Sequence, residues 1–177
     1  MNDLLKKIIK DIEVELTDEF DRNFERKGFF DRKWPGNKLK NKRGSMMMRT
    51  GALRRSISSR IIGNRIFYNS SVPYANIQNE GGEIKVTAKM KSFFWAMFYK
   101  ADNARSKNNT ARDRKLSDEA QQWKNLALMK VGTKMTIEQR QFIGDHSNIR
   151  KTIQSVVDDN LQEINDYYQQ KITLNGK

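Results

Sequence analysis

Ile57-Ser58-Ser59-Arg60-Ile61-Ile62-Gly63-Asn64-Arg65-Ile66-Phe67-Tyr68-Asn69 is the stretch on which the fold class turns. Two runs rich in β-branched and aromatic residues are split by Gly63-Asn64, and two such residues between strands make a tight hairpin. On both sides the hydrophobic period lengthens. Upstream, Leu4, Leu5, Ile8, Ile9, Ile12, Leu16, Phe20 and Phe24 recur at helical spacing, predicting an amphipathic helix over about residues 3 to 27 with Gly28 as its C-cap. Downstream, Ile149, Ile153, Val156, Val157, Asn160, Leu161, Ile164, Tyr168 and Ile172 predict a second long helix capped by Ser147. A hairpin between two long helices predicts an α+β protein, a small antiparallel sheet packed by long N- and C-terminal helices, with residues 1–177 forming one domain.

The intervening chain fills in this frame. Thr50 can cap a short helical turn over 51–56, in which Leu53 and Ile57 share a face. Pro73 opens a short helix that closes at Gly81-Gly82, and Glu83-Ile84-Lys85-Val86-Thr87 alternates as a third strand. Met90, Phe93, Phe94, Met97 and Phe98 mark a helix over about 89–104, with Trp95 and Tyr99 at its rim. A polar loop over about 103–116 follows. Ser117 then caps a helix burying Ala120, Trp123, Leu126, Ala127 and Val131, and Lys134-Met135-Thr136-Ile137 gives a fourth strand. Residues from about 28 to 49 have no sustained period and read as a flexible basic loop, with Met46-Met47-Met48 as a partner-facing apolar surface.

Composition narrows the chemistry. A chain of 177 residues buries roughly 70% of its unfolded surface. With no Cys there are no disulfides, thiolate nucleophiles or thiolate metal sites. The single His146 leaves no multi-histidine metal site, and beside a helix start it reads as structural. Asp158 and Asp159 are adjacent on a helix, so their carboxylates diverge by about 100°. Glu80 beside Gly81-Gly82 has no neighbours to complete an acid–base or metal site. Phosphate-binding loops, dinucleotide fingerprints, HExxH and GxSxG are absent. The reading is a non-enzymatic protein with no cofactor and no metal. No run reaches the roughly 20 apolar residues of a membrane span, and the first residues lack the pattern of a secretory signal, so a cytoplasmic product with no membrane partner is expected.

The formal net charge is +13, and its distribution is uneven. Arg26 to Arg65 holds 13 basic residues against Asp31 alone, a net of +12. Lys85 to Lys115 adds nine against Asp102 and Asp113, a net of +7, while the outer segments are comparatively acidic. A field of one sign attracts polyanions or acidic protein faces. Arg32, Lys33, Trp34, Lys38, Lys40, Lys42, Arg43, Arg49, Arg54 and Arg55 are the candidate interface. The alternative is a basic nucleic-acid-binding module, resting on the same charge and on interleaved aromatics, but without a zinc finger, an RNP aromatic pair or a helix-turn-helix.

Four blocks, in order, carry a resemblance: Trp34-Pro35; Arg49-Thr50-Gly51-Ala52-Leu53-Arg54-Arg55-Ser56-Ile57; Val72-Pro73-Tyr74-Ala75-Asn76-Ile77-Gln78-Asn79-Glu80-Gly81-Gly82; and Arg140-Gln141-Phe142-Ile143-Gly144. The series resembles the phage virion morphogenesis family of tail-completion proteins, loosely over about residues 28 to 150. Its specificity lies in order and spacing. The chain departs from the family pattern in a longer 88–132 segment, in Glu138-Gln139 where Pro is common, and in Met46 to Met48 in place of a leucine-bearing run. The resemblance implies a structural protein of a phage or prophage virion, acting in tail completion or head–tail joining. It also implies partners among other tail or head–tail proteins, a ring of its own copies, and DNA contact where DNA passes through a channel. The implied location is the virion, or the host cytoplasm during assembly. Thr50, Gly51, Leu53, Ile57, Tyr74, Ala75, Gly81, Arg140, Phe142 and Gly144 are then fold-keeping positions, with Phe142 buried and Arg140 paired to a carboxylate.

Overall fold

The computed structural model describes residues 2–36, 46–106 and 110–175. Their elements run α1 (Asn2–Arg26), β1 (Gly28–Phe29), β2 (Arg32–Lys33), α2 (Ala52–Arg55), β3 (Ile57–Ile62), β4 (Arg65–Ser70), α3 (Ala75–Glu80), β5 (Gly82–Lys85), α4 (Ala88–Asn103), α5 (Ala111–Leu128), β6 (Lys134–Ile137) and α6 (Ser147–Asn175). The architecture is α+β. Its antiparallel pairing is divided among three two-stranded ladders, β1–β2, β3–β4 and β5–β6. Among the described residues no helix is long and apolar enough to cross a membrane.

The long helices α1 and α6 lie antiparallel. Lys7 meets Glu163 near one end, Asn160 donates to Asp11 at 3.0 Å, and Leu16 and Phe20 share a cluster with Ile149 near the other. The β3–β4 hairpin turns at Gly63-Asn64 as expected and pairs Ile57 with Ser70 through Ile62 with Arg65. It rests on α1 through Tyr68. That ring meets Phe20 edge-on at 4.9 Å, and its hydroxyl donates to the Glu13 carbonyl at 3.1 Å.

Several boundaries differ from expectation, each for a local reason. The left-handed residue after α1 is Lys27, with φ 55°, rather than Gly28. Gly28 is required by the β1–β2 ladder instead, because a Cβ there would lie 2.6 Å from the Arg32 carbonyl. This miniature ladder occupies chain expected to be loop, and it buries Phe29. The helix expected to start at Ser117 starts earlier, capped by Thr110, so the polar loop ends sooner. Met46, Met47 and Met48 pack against the core, which is why three methionines are tolerated there. Val131, expected to be buried, is 61% exposed, because α5 ends at Leu128. At α6 the first-turn cap is His146, whose Nδ1 accepts from the Asn148 amide at 3.2 Å.

The segments β5, α4, α5 and β6 form an arm. The β5–β6 ladder continues through Val86 N–H to Thr133 O and Gly132 N–H to Val86 O, and Val86 is buried. Beyond it α4 and α5 pack chiefly on each other through Phe94, Ala101, Ala120 and Ala127. Their connection is fixed at Asp113, whose carboxylate accepts from the amides and hydroxyls of both Ser106 and Thr110.

Two measurements check this packing. Phe142, 2% exposed between Phe24 and the loop before α6, should lose about 3–5 kcal/mol of unfolding free energy on truncation to Ala in denaturant titration. The hydrogen bonds from Thr110 and Ser106 hold the Asp113 carboxyl well below the usual carboxylate range. Its contribution is therefore complete above the unfolded pKa of about 3.9 and fades as pH falls below that value. Asp113→Asn should lower the thermal midpoint at neutral pH and narrow the gap to the parent as the solution is acidified.

Candidate interaction surface

The basic segment does not present all of its candidates to solvent. Arg32 and Lys33 stand exposed on β2, Arg49 is exposed before α2, and Arg55 is exposed with Nη2 donating to the Thr50 carbonyl at 2.9 Å. Trp34 is not an interface residue. It is 7% exposed, meets Phe24 edge-on at 5.6 Å, and its indole N–H donates to the Gln141 carbonyl at 2.6 Å. Arg54 is not a free cation either. It grips Asp21 through Nε and Nη2 and reaches Glu25 at 2.8 Å, and Asp21, then Glu25, raise its pKa above the ordinary guanidinium value. The acidic face of α1 thus neutralises one member of the basic segment internally. Lys38, Lys40, Lys42 and Arg43 lie outside the described residues. The hairpin adds two exposed cations, Arg60 opposite Phe67 and Arg65 opposite Ile62, on its outer face.

The positions of the four sequence blocks meet at one place. Trp34, Leu53, Ala75 and Phe142, one from each block, form a single buried cluster with Phe24, flanked by Ile57, Val72 and Ile143. Thr50 and Gly51 set the turn into α2: the Thr50 hydroxyl accepts from Ala52 N–H at 3.3 Å, and Gly51 has φ 70°. At the other bracket a Cβ on Gly81 would stand 2.9 Å from the Gln139 amide. Tyr74 is 44% exposed at the start of α3, and Gly144 has φ 148°, a conformation L side chains rarely adopt. Arg140 departs from expectation. Its guanidinium donates to the carbonyls of Pro35 and Gly36 at 3.2 and 3.1 Å, with Glu138 no nearer than 3.9 Å. It pins block to block through these carbonyls, with Glu138 as a longer ion pair in place of the expected bidentate contact.

Two residues essential to this cluster have no sequence signature. The Asn79 side-chain oxygen accepts both Phe142 N–H and Ile143 N–H, at 2.9 and 3.0 Å. Asn23, fully buried, donates to the Phe142 carbonyl at 3.2 Å and accepts from Phe30 N–H at 2.9 Å. Asn79 falls inside a quoted block, but nothing in its spacing distinguishes it from a solvated asparagine.

His146 is enclosed. Its Nε2 lies 3.1 Å from Asp31, its Nδ1 accepts from Asn148 N–H, and its ring stacks on Phe30 at 4.6 Å. With Nδ1 accepting from Asn148 N–H, Nε2–H donates to the Asp31 carboxylate, so both ring nitrogens are engaged in hydrogen bonds. The adjoining cleft, of about 430 Å³, is open and lined by Glu19, Arg26, Phe30, Asp31, Lys151 and Thr152. Glu19 is already engaged with Arg22 and Arg26. Asp158 accepts from Gln154, and Glu80 is exposed. Among the described residues no three carboxylates or imidazoles converge on a metal-sized space. Comparison of the chain with family models, with curated proteins and with solved structures gave no match.

The Arg54 cluster yields a direct test. Arg54→Met should cost about 1 kcal/mol in denaturant titration, the upper end for partly exposed pairs because the contact is forked. The loss should shrink at high salt, where screening has already weakened the parent's ion pairs.

Proposed function

We propose that the chain is a non-enzymatic structural protein of a phage or prophage virion, acting in tail completion or head–tail joining through protein–protein contacts. The observation that carries this reading is the convergence of Trp34, Leu53, Ala75 and Phe142. The four blocks on which the family resemblance rests are far apart in sequence yet share one core. A spaced motif that closes on itself in space behaves as one structural unit. The enclosed His146 and the engaged Glu19 further support a scaffold without acid–base chemistry.

On this reading the exposed cations Arg32, Lys33, Arg49 and Arg55, with Arg60 and Arg65 of the hairpin, meet acidic faces on neighbouring tail or head–tail proteins, among them copies of this chain. A basic nucleic-acid-binding module is the competing reading, favoured by the same cations and by Phe67 exposed beside Arg60. Disrupting the reading frame in the phage or prophage that carries it should leave filled heads and tails unjoined in electron micrographs, with wild type supplied in trans restoring particles. Normal particles would overturn the proposal. So would a purified monomer that binds DNA with a steep salt dependence while particle assembly is unaffected.

A further inference from the structure

The one imidazole of the chain sits where two segments meet. The His146 side chain is 6% exposed; it caps α6 through Nδ1, and its Nε2–H reaches Asp31 in the turn between β1 and β2. The ring lies flat on Phe30, the planes 9° apart, and meets Phe29 edge-on at 5.6 Å. Phe30 has φ 53°, in the left-handed region, and its amide donates to the buried Asn23 side chain. A non-glycine residue persists in that conformation only while its surroundings hold it there. One ring thus fastens a strained turn to the start of a 29-residue helix.

The ring does this only while it is neutral. Its lone pair is on Nδ1, where the Asn148 amide already points, so an added proton has no other place to go. Protonated, Nδ1–H would face Asn148 N–H, donor against donor, and a cation would stand at a helix N-terminus, where the macrodipole opposes it. Turning the ring over gives no relief, since it carries Nε2 away from Asp31 and still leaves Asn148 N–H without an acceptor. The surrounding charges are divided. Asp31 favours the cation, but its side chain is 73% exposed and water screens it. Asp145 lies 3.6 Å from Arg150, and Glu19 is taken by Arg22 and Arg26. Arg26 and Lys151 on the cleft side, with Lys27, Arg32 and Lys33 exposed around β1 and β2, oppose the cation.

We propose that His146 is a proton-operated latch: the neutral ring fastens the β1–β2 turn to the start of α6, and protonation releases both. Histidine changes charge between about pH 8 and 5, so the latch works in that range. What the neutral form contributes is present at the upper end and is lost as the pH falls through the titration of the ring. Release lets Phe30 leave its left-handed conformation and frees the first turn of α6. Arg32 and Lys33 follow the turn directly, so the proton also changes where two cations of the exposed basic surface are held. The latch stands on these contacts alone and is independent of what that surface docks on.

Hydrogen exchange resolved by residue, from about pH 8 to 5, tests the latch, with the ring resonance of the single histidine followed in the same samples. As His146 titrates, protection of the Asn148 and Phe30 amides should fall about tenfold, the scale of a lost helix cap, while the β3–β4 ladder amides keep theirs. His146→Asn retains an oxygen that can accept from Asn148 N–H and has nothing to titrate, so its Asn148 protection should stay level over the same range. Level protection in wild type through the histidine titration overturns the proposal. So does protection that rises at the acid end, the mark of the Asp31 ion pair prevailing. A loss of equal size in His146→Asn, or one shared by the β3–β4 ladder, overturns it as well. The wild-type series decides by itself if the variant does not fold.

Discussion

The segment from Glu138 to His146 crosses the middle of the molecule without regular secondary structure, and its backbone groups must find partners there. They are met by side chains drawn from distant places. Asn79 takes two amides, Asn23 serves the Phe142 carbonyl, and the Trp34 indole serves the Gln141 carbonyl. The Gln78 carbonyl takes the Arg140 amide. An unpaired buried amide or carbonyl costs about 1–3 kcal/mol, so the segment holds its place only while these partners hold theirs. Phe142 fills the space they enclose. Deleting the first, third or fourth block would leave the others with orphaned polar groups, while the second contributes Leu53 to the packing they enclose.

That dependence explains what could be read in advance. Elements fixed by their own periodicity or turn chemistry were legible: α1, the hairpin at Gly63-Asn64, α3 ahead of Gly81, and β6 over Lys134–Ile137. Phe142 was placed in the core by the resemblance, as one of its fold-keeping positions, and is 2% exposed. Features set by partners far along the chain were not. Trp34 sits in a basic, aperiodic stretch and looks exposed until Phe24 and Gln141 are brought beside it. Arg54 looks like one cation among many until the carboxylates of Asp21 and Glu25, a helix away, align with it. Thr110 and Asp113 form a capping box that spacing alone could have suggested, but the apolar period begins later, at Leu116 and Ala120, and draws the boundary downstream.

Charge is laid out on the same logic. Two acidic residues of α1, Asp21 and Glu25, face the basic segment within one chain and neutralise part of it through Arg54. The cations that remain exposed are on β2, around α2 and on the outer face of the hairpin, around the buried cluster rather than in it. A surface so placed can change its partner without disturbing the cluster, whose buried members are Phe24, Trp34, Leu53, Ala75 and Phe142. At the cleft beside Phe30 both imidazole nitrogens of His146 are likewise committed, one to the Asn148 amide at the start of α6 and one to Asp31.

The arm is insulated in a different way. It leaves and rejoins the body through the β5–β6 ladder, and its helices pack chiefly on each other, so its stability rests on the Phe94–Trp123 contact and on the Asp113 connection more than on the central cluster. Contact-poor excursions of this kind open more easily than the body that bears them.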